Sequence, residues 1–332
     1  MAYIKAISYF LPETVLTNEQ LSKLFPEWTT EKIASKVGIS QRHIAAPDQT
    51  AGDMAFMAAK KLFSEHNIDV ASIDFLILCT QNADYNMPAT ACILQDKLGL
   101  PTSCGAFDID LGCSGFVYGL AVAKGLVDAH IAKNVLLLTA DTLTKHVHPE
   151  DKGNLTIFGD AATATLISDT GKAEILNFSL GTDGSGWDNL VVKTAYARNP
   201  EKTGIVNYDE SGNPYSDDYF HMNGKAVFDF TSESVPPMVE DALSKNKLSM
   251  DDISLFVFHQ ANKYMINYLR KILEIPKDNF YVYMEKVGNT VASSIPIALY
   301  HAEKEQKASG DVLIAGFGVG FSWGATVLRY TE

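Results

Sequence analysis

The 332-residue sequence predicts an α/β protein of layered sheets and helices, built from two similar halves. Continuous apolar runs such as residues 75–80 and 135–139 are typical of strands buried on both faces, and they alternate with segments of helical spacing. Three stretches recur in the same order in the second half, which indicates an internal duplication of βαβ units. They pair residues 70–78 with 250–258, 134–138 with 310–314, and 160–167 with 322–329. We therefore expect mainly parallel sheets, with one half in residues 1–172 and the other in residues 173–332.

The first elements of the chain have recognisable boundaries. Residues 4–10 predict a strand that ends before Pro12. Thr17 followed by Gln20 three residues later is a capping-box pattern, so a helix is expected to begin there. A longer helix is expected over residues 51–66, ahead of the first fully buried strand.

Residues 106–116 predict a strand, a tight turn and a helix. β-forming residues up to Ile109 are followed by Gly112 and Gly115 on either side of Cys113, and then by apolar residues at helical spacing. A thiol at this position lies over the N-terminal end of a helix, where the dipole and backbone N–H groups can lower its pKa from about 8.5 towards neutrality. Cys113 is therefore a candidate nucleophile, and the alternative is a buried cysteine that packs as a small apolar side chain.

Three features of the second half could contribute to the same chemistry. His259 follows the apolar strand at residues 256–258 and fits either a ligand crevice or a satisfied core position. Asn289 lies where we expect a helix to begin, so its side chain either caps that helix or donates into a site. The glycine-rich turn at residues 316–324 leads into a strand, which does not fit a dinucleotide fingerprint but suits one half of an oxyanion hole. The polar residues 193–219 predict a long excursion, either at the mouth of a site or as a solvated loop.

Composition and charge exclude several classes of function. A net charge of −13 argues against binding to nucleic acid or anionic membranes, and an acidic partner would need a local basic patch. The N-terminal residues lack a signal-peptide pattern and no apolar run is long enough to span a bilayer, so we expect a cytoplasmic protein. The four cysteines have no metal-type spacing and are too few to indicate a disulfide framework.

Taken together, these motifs resemble the site of the thiolase-fold condensing enzymes, and nearly the whole chain is similar to the β-ketoacyl-acyl-carrier-protein synthase III family. The motifs that carry the resemblance are residues 38–45, 108–116, 157–162, 259–262, 288–290 and 318–324. The resemblance implies a thiolase-like fold with α-β-α-β-α layers and a homodimer. It also implies acyl-CoA and acyl-carrier protein as partners, with CoA and carrier-bound phosphopantetheine thioesters as substrates and no metal or redox cofactor.

The same resemblance assigns roles to the candidate residues. Cys113 would take the acyl group, with the backbone N–H groups of Cys113 and Val319 holding the oxyanion. His259 and Asn289 would then stabilise the enolate formed when malonyl-carrier protein loses CO₂. We also expect Phe228 and Phe321 to line an apolar environment that favours this decarboxylation.

The substrate-binding positions depart from the family pattern. Lys32 stands where the family usually has a tryptophan that stacks on adenine, and Trp28 lies farther upstream. The arginine often used for carrier docking corresponds to Tyr264, beside Lys263. The resemblance assigns CoA or pantetheine binding to Lys36, Lys152, Gly224, Lys225 and Asn262, although lysine lacks the planar fork of the arginine common at the first two. Met87 corresponds to a residue that closes the acyl pocket of the partner subunit, where a flexible side chain could admit larger acyl groups.

Two other functions are compatible with these residues. The first is an acyltransferase of the same fold that passes the acyl group from Cys113 to a non-malonyl acceptor in specialised metabolism; the retained Asn289 favours decarboxylation instead. The second is a catalytically silent partner subunit, against which the intact Cys113, His259 and Asn289 count.

Overall fold

The computed structural model describes residues 1–210 and 212–331. Within that part of the chain the strands are β1 (Tyr3–Phe10), β2 (Thr14–Thr17), β3 (Gln41–Ile44), β4 (Phe75–Cys79), β5 (Gly105–Ile109), β6 (Asn134–Asp141), β7 (Ala161–Ser168), β8 (Ala173–Thr182), β9 (Leu190–Val191), β10 (Asn207–Tyr208), β11 (Pro214–Tyr215), β12 (His221–Met222), β13 (Ile253–Phe258), β14 (Asp311–Gly318) and β15 (Ser322–Tyr330). The helices are α1 (Asn18–Leu24), α2 (Thr30–Val37), α3 (Ala51–His66), α4 (Thr90–Lys97), α5 (Gly115–Asp128), α6 (Lys152–Leu155), α7 (Gly224–Asn246), α8 (Lys263–Ile272) and α9 (Ser294–Lys304).

The main sheet shows the duplication that the sequence predicts. Its strand order is β13-β14-β15-β8-β1-β7-β6-β4-β5. In the first half β4 runs parallel to β6, which is antiparallel to β7, which is antiparallel to β1. In the second half β13, β14, β15 and β8 repeat this pattern in the same order. The repeated stretches of sequence therefore correspond to β4 and β13, β6 and β14, and β7 and β15.

The expectation of mainly parallel sheets is wrong. Parallel pairing links β4 with β5, β4 with β6, and β13 with β14, whereas the other neighbours in the sheet are antiparallel. The reason is that β7 and β15 follow β6 and β14 through connections without a crossover helix on the sheet, so each returns in the opposite direction. The proposed boundary after residue 172 falls just before β8, the strand that pairs with β1 over two residues.

Helices pack on both sides of each half-sheet and produce five layers. α3 covers the outer face of β1, β7 and β6, and α7 covers β8, β14 and β15. Between the halves lie α5 and α9, both rich in fully buried residues. α5 contacts strands of both halves, β4 and β6 on one side and β14 and β15 on the other, and α9 likewise contacts β1 and β13. The start of each central helix therefore lies where the two halves meet.

Several local predictions are confirmed. Thr17 and Gln20 form a reciprocal capping box at the start of α1. The predicted helix over residues 51–66 coincides with α3. The helix expected at residue 289 begins later, because a short 3₁₀ turn over Val291–Ser293 precedes α9.

The described residues of the polar segment at 193–219, which are 193–210 and 212–219 and are here called the flap, are folded. It contains the β10–β11 hairpin, and the Asp218 carboxylate accepts hydrogen bonds from the Thr194 hydroxyl and from the Thr203 and Gly204 N–H groups. These donors lower the pKa of Asp218 to about 2, although its desolvation opposes the shift. The Tyr208 hydroxyl also donates to Glu150, which links the flap to the loop before α6. None of the helices in the described residues is both long and apolar enough to cross a membrane.

Candidate active site

Cys113 lies in the tight turn between β5 and α5, and three glycines allow other backbone segments to approach it. A Cβ atom at Gly318 would lie 3.1 Å from the Sγ of Cys113, and one at Gly316 would lie 2.8 Å from the Cys113 carbonyl oxygen. A Cβ at Gly112 would meet the Val319 side chain at 2.5 Å. The end of β14 and the turn that follows it therefore pack directly against the cysteine and its neighbour Gly112.

His259 follows β13 and is almost completely buried, with 2% of its surface exposed. Its backbone N–H donates to the Ala315 carbonyl at 2.7 Å, and its Nδ1 is 2.7 Å from the Ser294 hydroxyl oxygen. Burial lowers the pKa of His259 to about 3, so the imidazole is neutral near pH 7. When the Ser294 hydroxyl donates to Nδ1, the ring proton lies on Nε2 and can be donated to a substrate oxygen.

Asn289 is buried in a turn that precedes α9, and it does not cap that helix. Its Oδ1 accepts the Val291 N–H at 3.0 Å, which leaves the Nδ2 group to donate elsewhere. Its backbone bonds to Ile157 and Gly159 on the opposite half of the molecule. Val291 has φ +53°, a left-handed conformation that is costly for a β-branched residue. The conformation of this turn is therefore imposed by its surroundings.

The structure brings these three predicted residues to the junction of the halves. β14 links two of them, because its Ala315 carbonyl bonds to His259 while Gly316 and Gly318 contact Cys113. A Cβ at Gly115, at the start of α5, would lie 3.6 Å from the Cβ of Ala292, three residues after Asn289.

An apolar cluster adjoins Cys113. The cluster consists of Leu143, Phe158 and Val291, and Cys113 packs against it together with Ile157, Phe220 and Met222. Phe228 lies against Tyr264 and Tyr268, and Phe321 stacks on Phe230. Both belong to the neighbouring hydrophobic core, which also contacts Ile157, Phe220 and Met222, so their expected role near the site stays a prediction.

The expected lowering of the Cys113 pKa is also wrong for the free protein. Burial, with the Asp141 carboxylate as the second cause, raises the pKa of the Cys113 thiol to about 12. A hydrogen bond from the backbone N–H of Cys113 acts in the opposite direction without reversing the shift. The resting site therefore holds a neutral thiol beside a neutral imidazole.

Replacing Asp141 with asparagine is expected to lower the apparent pKa of the Cys113 thiol by about one unit, because a negative charge near the thiolate is removed. Alkylation by iodoacetamide at a fixed pH below this pKa then becomes about tenfold faster. The measurement is the rate of Cys113 alkylation as a function of pH, read by mass spectrometry. The control is Asp110→Asn, which removes a carboxyl group that is not one of the main causes of the Cys113 shift and should therefore change the profile less. Identical pH profiles for D141N and wild type would contradict the prediction.

A cavity of about 410 Å³ borders the apolar cluster against which Cys113 packs. Trp28, Lys152 and Tyr215 line it, and Tyr215 comes from the flap. Phe220 and Met222 also line the cavity, and both pack against the same apolar cluster as Cys113. We call this space the entrance cavity. Trp28 therefore reaches the cavity although it lies upstream of the position at which a tryptophan is usual.

The remaining predicted binding residues fall in several places. Gly224 lines the entrance cavity, whereas Lys225 is exposed and forms an ion pair with Asp229 at 2.5 Å. Asn262 caps α8 by accepting the Met265 N–H. Lys36 lines a second groove with α8, described below. Met87 is 82% exposed in the single chain, next to Pro88.

Sequence reasoning missed Ser294 and Asp141. Ser294 is distant from His259 in sequence, and a serine near a helix start carries no signal of a contact with a histidine. Asp141 is fully buried at the end of β6 and accepts the Gln81 N–H. Its position directly after a buried strand is the one signal that could have marked it.

Comparisons with known proteins decide the family. The C-terminal model of 3-oxoacyl-[acyl-carrier-protein (ACP)] synthase III matches residues 243–330, and the other model of that family matches residues 107–184. A β-ketoacyl-[acyl-carrier-protein] synthase III of Clostridium perfringens is 35% identical over 323 residues, with 96% of each chain covered. The chain belongs to the 3-oxoacyl-acyl-carrier-protein synthase III family.

Solved structures of 3-oxoacyl-acyl-carrier-protein synthase III give the same result for the fold. One has a TM-score of 0.97 at 45% identity, with 99% of each chain covered. The synthase III from Pseudomonas aeruginosa PAO1 has a TM-score of 0.86 at 31% identity, with 100% of this chain and 98% of the other covered. The predicted thiolase-like fold is confirmed by this agreement and by the duplicated half-sheets.

Proposed function

We propose that this synthase III family member condenses an acyl thioester starter with malonyl-acyl-carrier protein, releasing CO₂ and forming a 3-oxoacyl product. The observation that carries the proposal is the arrangement of Cys113, His259 and Asn289 at the junction of the halves, next to an apolar cluster whose neighbours Phe220 and Met222 line the entrance cavity. The names of the relatives support the same reaction for this chain.

In the first step Cys113 takes the acyl group from the starter. Its Sγ attacks the thioester carbonyl, and the N–H groups of Cys113 and Val319 stabilise the oxyanion. The close packing of Gly318 against Cys113 supports this role, because Val319 is the next residue in the turn. Exchange of one thioester for another is nearly isoenergetic, so a nucleophile and two donors suffice.

In the second step malonyl-carrier protein loses CO₂ and the resulting carbanion attacks the acyl group on Cys113. The Nε2–H of His259 and the Nδ2 group of Asn289 donate to the developing enolate oxygen. The neutral state of the buried imidazole supports this role, because a neutral ring with its proton on Nε2 is a donor at that atom. The apolar residues around Cys113 favour conversion of a carboxylate to uncharged CO₂.

The carrier protein docks on a basic groove beside the entrance cavity. Lys263, Asn267 and Lys271 follow one another at i, i+4 and i+8 on one face of α8, and Lys36 joins them. Of the residues that line this groove, none is acidic. The packing of Lys263 against Gly38 brings α2 and α8 together here. A local cluster of cations of this kind is what a chain of net charge −13 needs to bind an acidic partner.

The finer assignments of the sequence analysis belong to the same proposal. The chain acts as a cytoplasmic homodimer in which Met87 closes the partner's acyl pocket, and its halves divide after residue 172. Lys152, Gly224, Lys225 and Asn262 bind the pantetheine arm or CoA, and the reaction uses no metal or redox cofactor.

The test is intact-protein mass spectrometry after incubation with a panel of acyl thioesters and then with malonyl-carrier protein. We expect a single acyl adduct on wild type, none on Cys113→Ala, and discharge of the adduct with release of CO₂ when malonyl-carrier protein is added. An adduct that malonyl-carrier protein cannot discharge would replace this proposal with the acyltransferase function. Retention of the adduct in Cys113→Ala would show that the nucleophile is a different residue.

A further inference from the structure

Two buried serines connect the turn that carries Cys113 to the turn between β14 and β15. Ser114 is fully buried directly after Cys113, and Ser322 is 2% exposed at the start of β15. Their hydroxyl oxygens are 2.6 Å apart, and the Ser322 oxygen is also 2.7 Å from the Val319 carbonyl oxygen. A carbonyl can only accept and a hydroxyl has one proton, so Ser322 donates to Val319 and Ser114 donates to Ser322. A directed chain of two hydrogen bonds therefore runs from the residue after Cys113 to Val319.

The hydroxyl of Ser114 is not used by its own helix. Ser114 is the N-cap residue of α5, a position at which a serine side chain usually accepts an N–H of the first helical turn. Here the side chain makes no capping hydrogen bond. Because a buried hydroxyl is unfavourable unless it is hydrogen-bonded, the bond to Ser322 is what stabilises this side chain. The serine therefore joins the two halves of the molecule and does not stabilise the start of α5.

Ser322 is held firmly at the other end of this contact. Its backbone pairs with Gly318 on β14 and with Thr182 on β8, so it lies between two neighbouring strands of the main sheet. The preceding residue, Phe321, exchanges two backbone hydrogen bonds with Asp183, each 2.9 Å long. The hydroxyl of Ser322 is therefore a fixed point to which both turns are attached.

Val319 is restrained on both sides of Cys113, yet its N–H group is free. A Cβ atom at Gly112 would lie 2.5 Å from the Cγ1 of Val319, which shows that this side chain packs on the residue before Cys113. The Val319 carbonyl is bound by Ser322, which is bonded to the residue after Cys113. Within the described part of the chain, the Val319 N–H donates to no other group. The packing therefore fixes Val319 while leaving its N–H available to a ligand.

We propose that Ser114 and Ser322 are positioning residues that set the separation of the two oxyanion donors, the N–H groups of Cys113 and Val319. The inference rests on the proposed function, in which these two groups hold the oxyanion. Donors of this kind act at about 2.7–3.1 Å from the oxygen, so a small displacement of one of them weakens the pair. Cys113 and Val319 belong to different halves of the chain, and the serine hydroxyls are the polar link between them.

The experiment compares two reactions of Cys113. Acylation by butyryl-CoA, with p-nitrophenyl butyrate in parallel, forms an oxyanion at the acyl carbon, whereas alkylation by iodoacetamide forms none. Ser322→Ala removes both hydrogen bonds and is expected to lower the maximal acylation rate about tenfold, with the half-saturating concentration of butyryl-CoA unchanged. Ser114→Ala leaves Ser322 bonded to Val319 and should lower that rate about threefold. Alkylation should stay within about twofold of wild type in both variants, since no oxyanion has to be stabilised.

Three further variants separate positioning from a general effect on the fold. Ser322→Thr keeps the hydroxyl on a strand residue and should retain most of the acylation rate. The double variant of Ser114 and Ser322 to alanine should match Ser322→Ala, because Ser114 acts through Ser322. Ser168→Ala is the matched control: this serine is 1% exposed and donates to Asn134 at 2.7 Å at the end of β7, and its loss should change neither reaction. Thermal unfolding verifies the fold of each variant.

Two results would overturn the inference. The first is wild-type acylation in both serine-to-alanine variants, and the second is equal slowing of acylation and alkylation, which would mean that the serines affect the thiol itself.

The proposed function fails in a different measurement, the discharge of the wild-type adduct by malonyl-carrier protein. An adduct that is not discharged would contradict the condensation, while the ratio of acylation to alkylation in the variants would still test the serines. A wild type that butyryl-CoA does not acylate leaves p-nitrophenyl butyrate as the acyl donor for the same ratio. Normal discharge with an unchanged ratio would contradict the positioning role alone.

Discussion

Replacing His259 with alanine is expected to slow discharge of acyl-Cys113 by malonyl-carrier protein about 10²–10³-fold, which is the usual effect of removing one donor to a developing oxyanion. Acylation of Cys113 should fall by less than about tenfold, because burial keeps both the thiol and the imidazole neutral and His259 is a poor base for that proton. The measurement is single-turnover mass spectrometry of each step.

The control for this prediction is His259→Gln, whose side-chain amide retains a donor near the lost Nε2–H and should recover part of the discharge rate. Asn289→Ala should show the same division between the two steps. The double variant should lose less than the product of the single losses, since both groups serve one oxygen. A loss of acylation equal to the loss of discharge would show that His259 acts mainly as the base for Cys113.

Replacing Gly318 with alanine is expected to reduce acylation of Cys113 about 10²-fold, because the new methyl group must displace the nucleophile. Its Cβ would lie 3.0 Å from the Cβ and 3.1 Å from the Sγ of Cys113. The φ of +158° at Gly318 also strains an alanine, so we expect a lower melting temperature in a variant that still folds, since the obstructed atoms belong to a small side chain and not to backbone. The measurement is the acylation rate, with thermal unfolding to verify the fold.

The matched control is Gly125→Ala, on α5, where an added Cβ meets no atom within 4 Å. This variant should acylate at the wild-type rate and gain about 0.5–1 kcal/mol in stability, because alanine loses less backbone entropy in a helix. Acylation of Gly318→Ala at the wild-type rate would contradict the prediction. It would mean that the turn at residues 316–324 can shift enough to accommodate the methyl group without displacing Cys113.

The sequence predicts correctly those strands and helices that can be recognised from the spacing of their own residues. The buried strands, the capping box at Thr17 and the helix over residues 51–66 follow from local spacing. The direction of a strand does not follow from local spacing, because the apolar run of a buried strand looks the same whether the neighbouring strand is parallel or antiparallel. The return of β7 and β15 was therefore assigned incorrectly even though their repeat was recognised.

The sequence predicts which residues form the candidate site, but it predicts only part of what surrounds each of them. Cys113, His259 and Asn289 occur at turns that the sequence marks, and the structure places those turns together. The ionisation of Cys113 could not be inferred from its helix position, because the apolar cluster and Asp141 come from distant parts of the chain. Trp28 lies upstream of the position at which the resemblance expects a tryptophan, but the loop before α2 still places it at the cavity.

The duplicated halves now contribute different groups to one site. α5 and α9 occupy equivalent positions in the two halves, and both begin at the junction. The turn before α5 carries Cys113, the proposed nucleophile, whereas the turn before α9 carries Asn289, a proposed amide donor. His259 follows β13, and no histidine follows its counterpart β4. Each half by itself would hold either Cys113 without the proposed enolate donors or those donors without Cys113. The duplication has therefore left no redundancy, and a lesion at any of these positions has no symmetric copy to compensate for it.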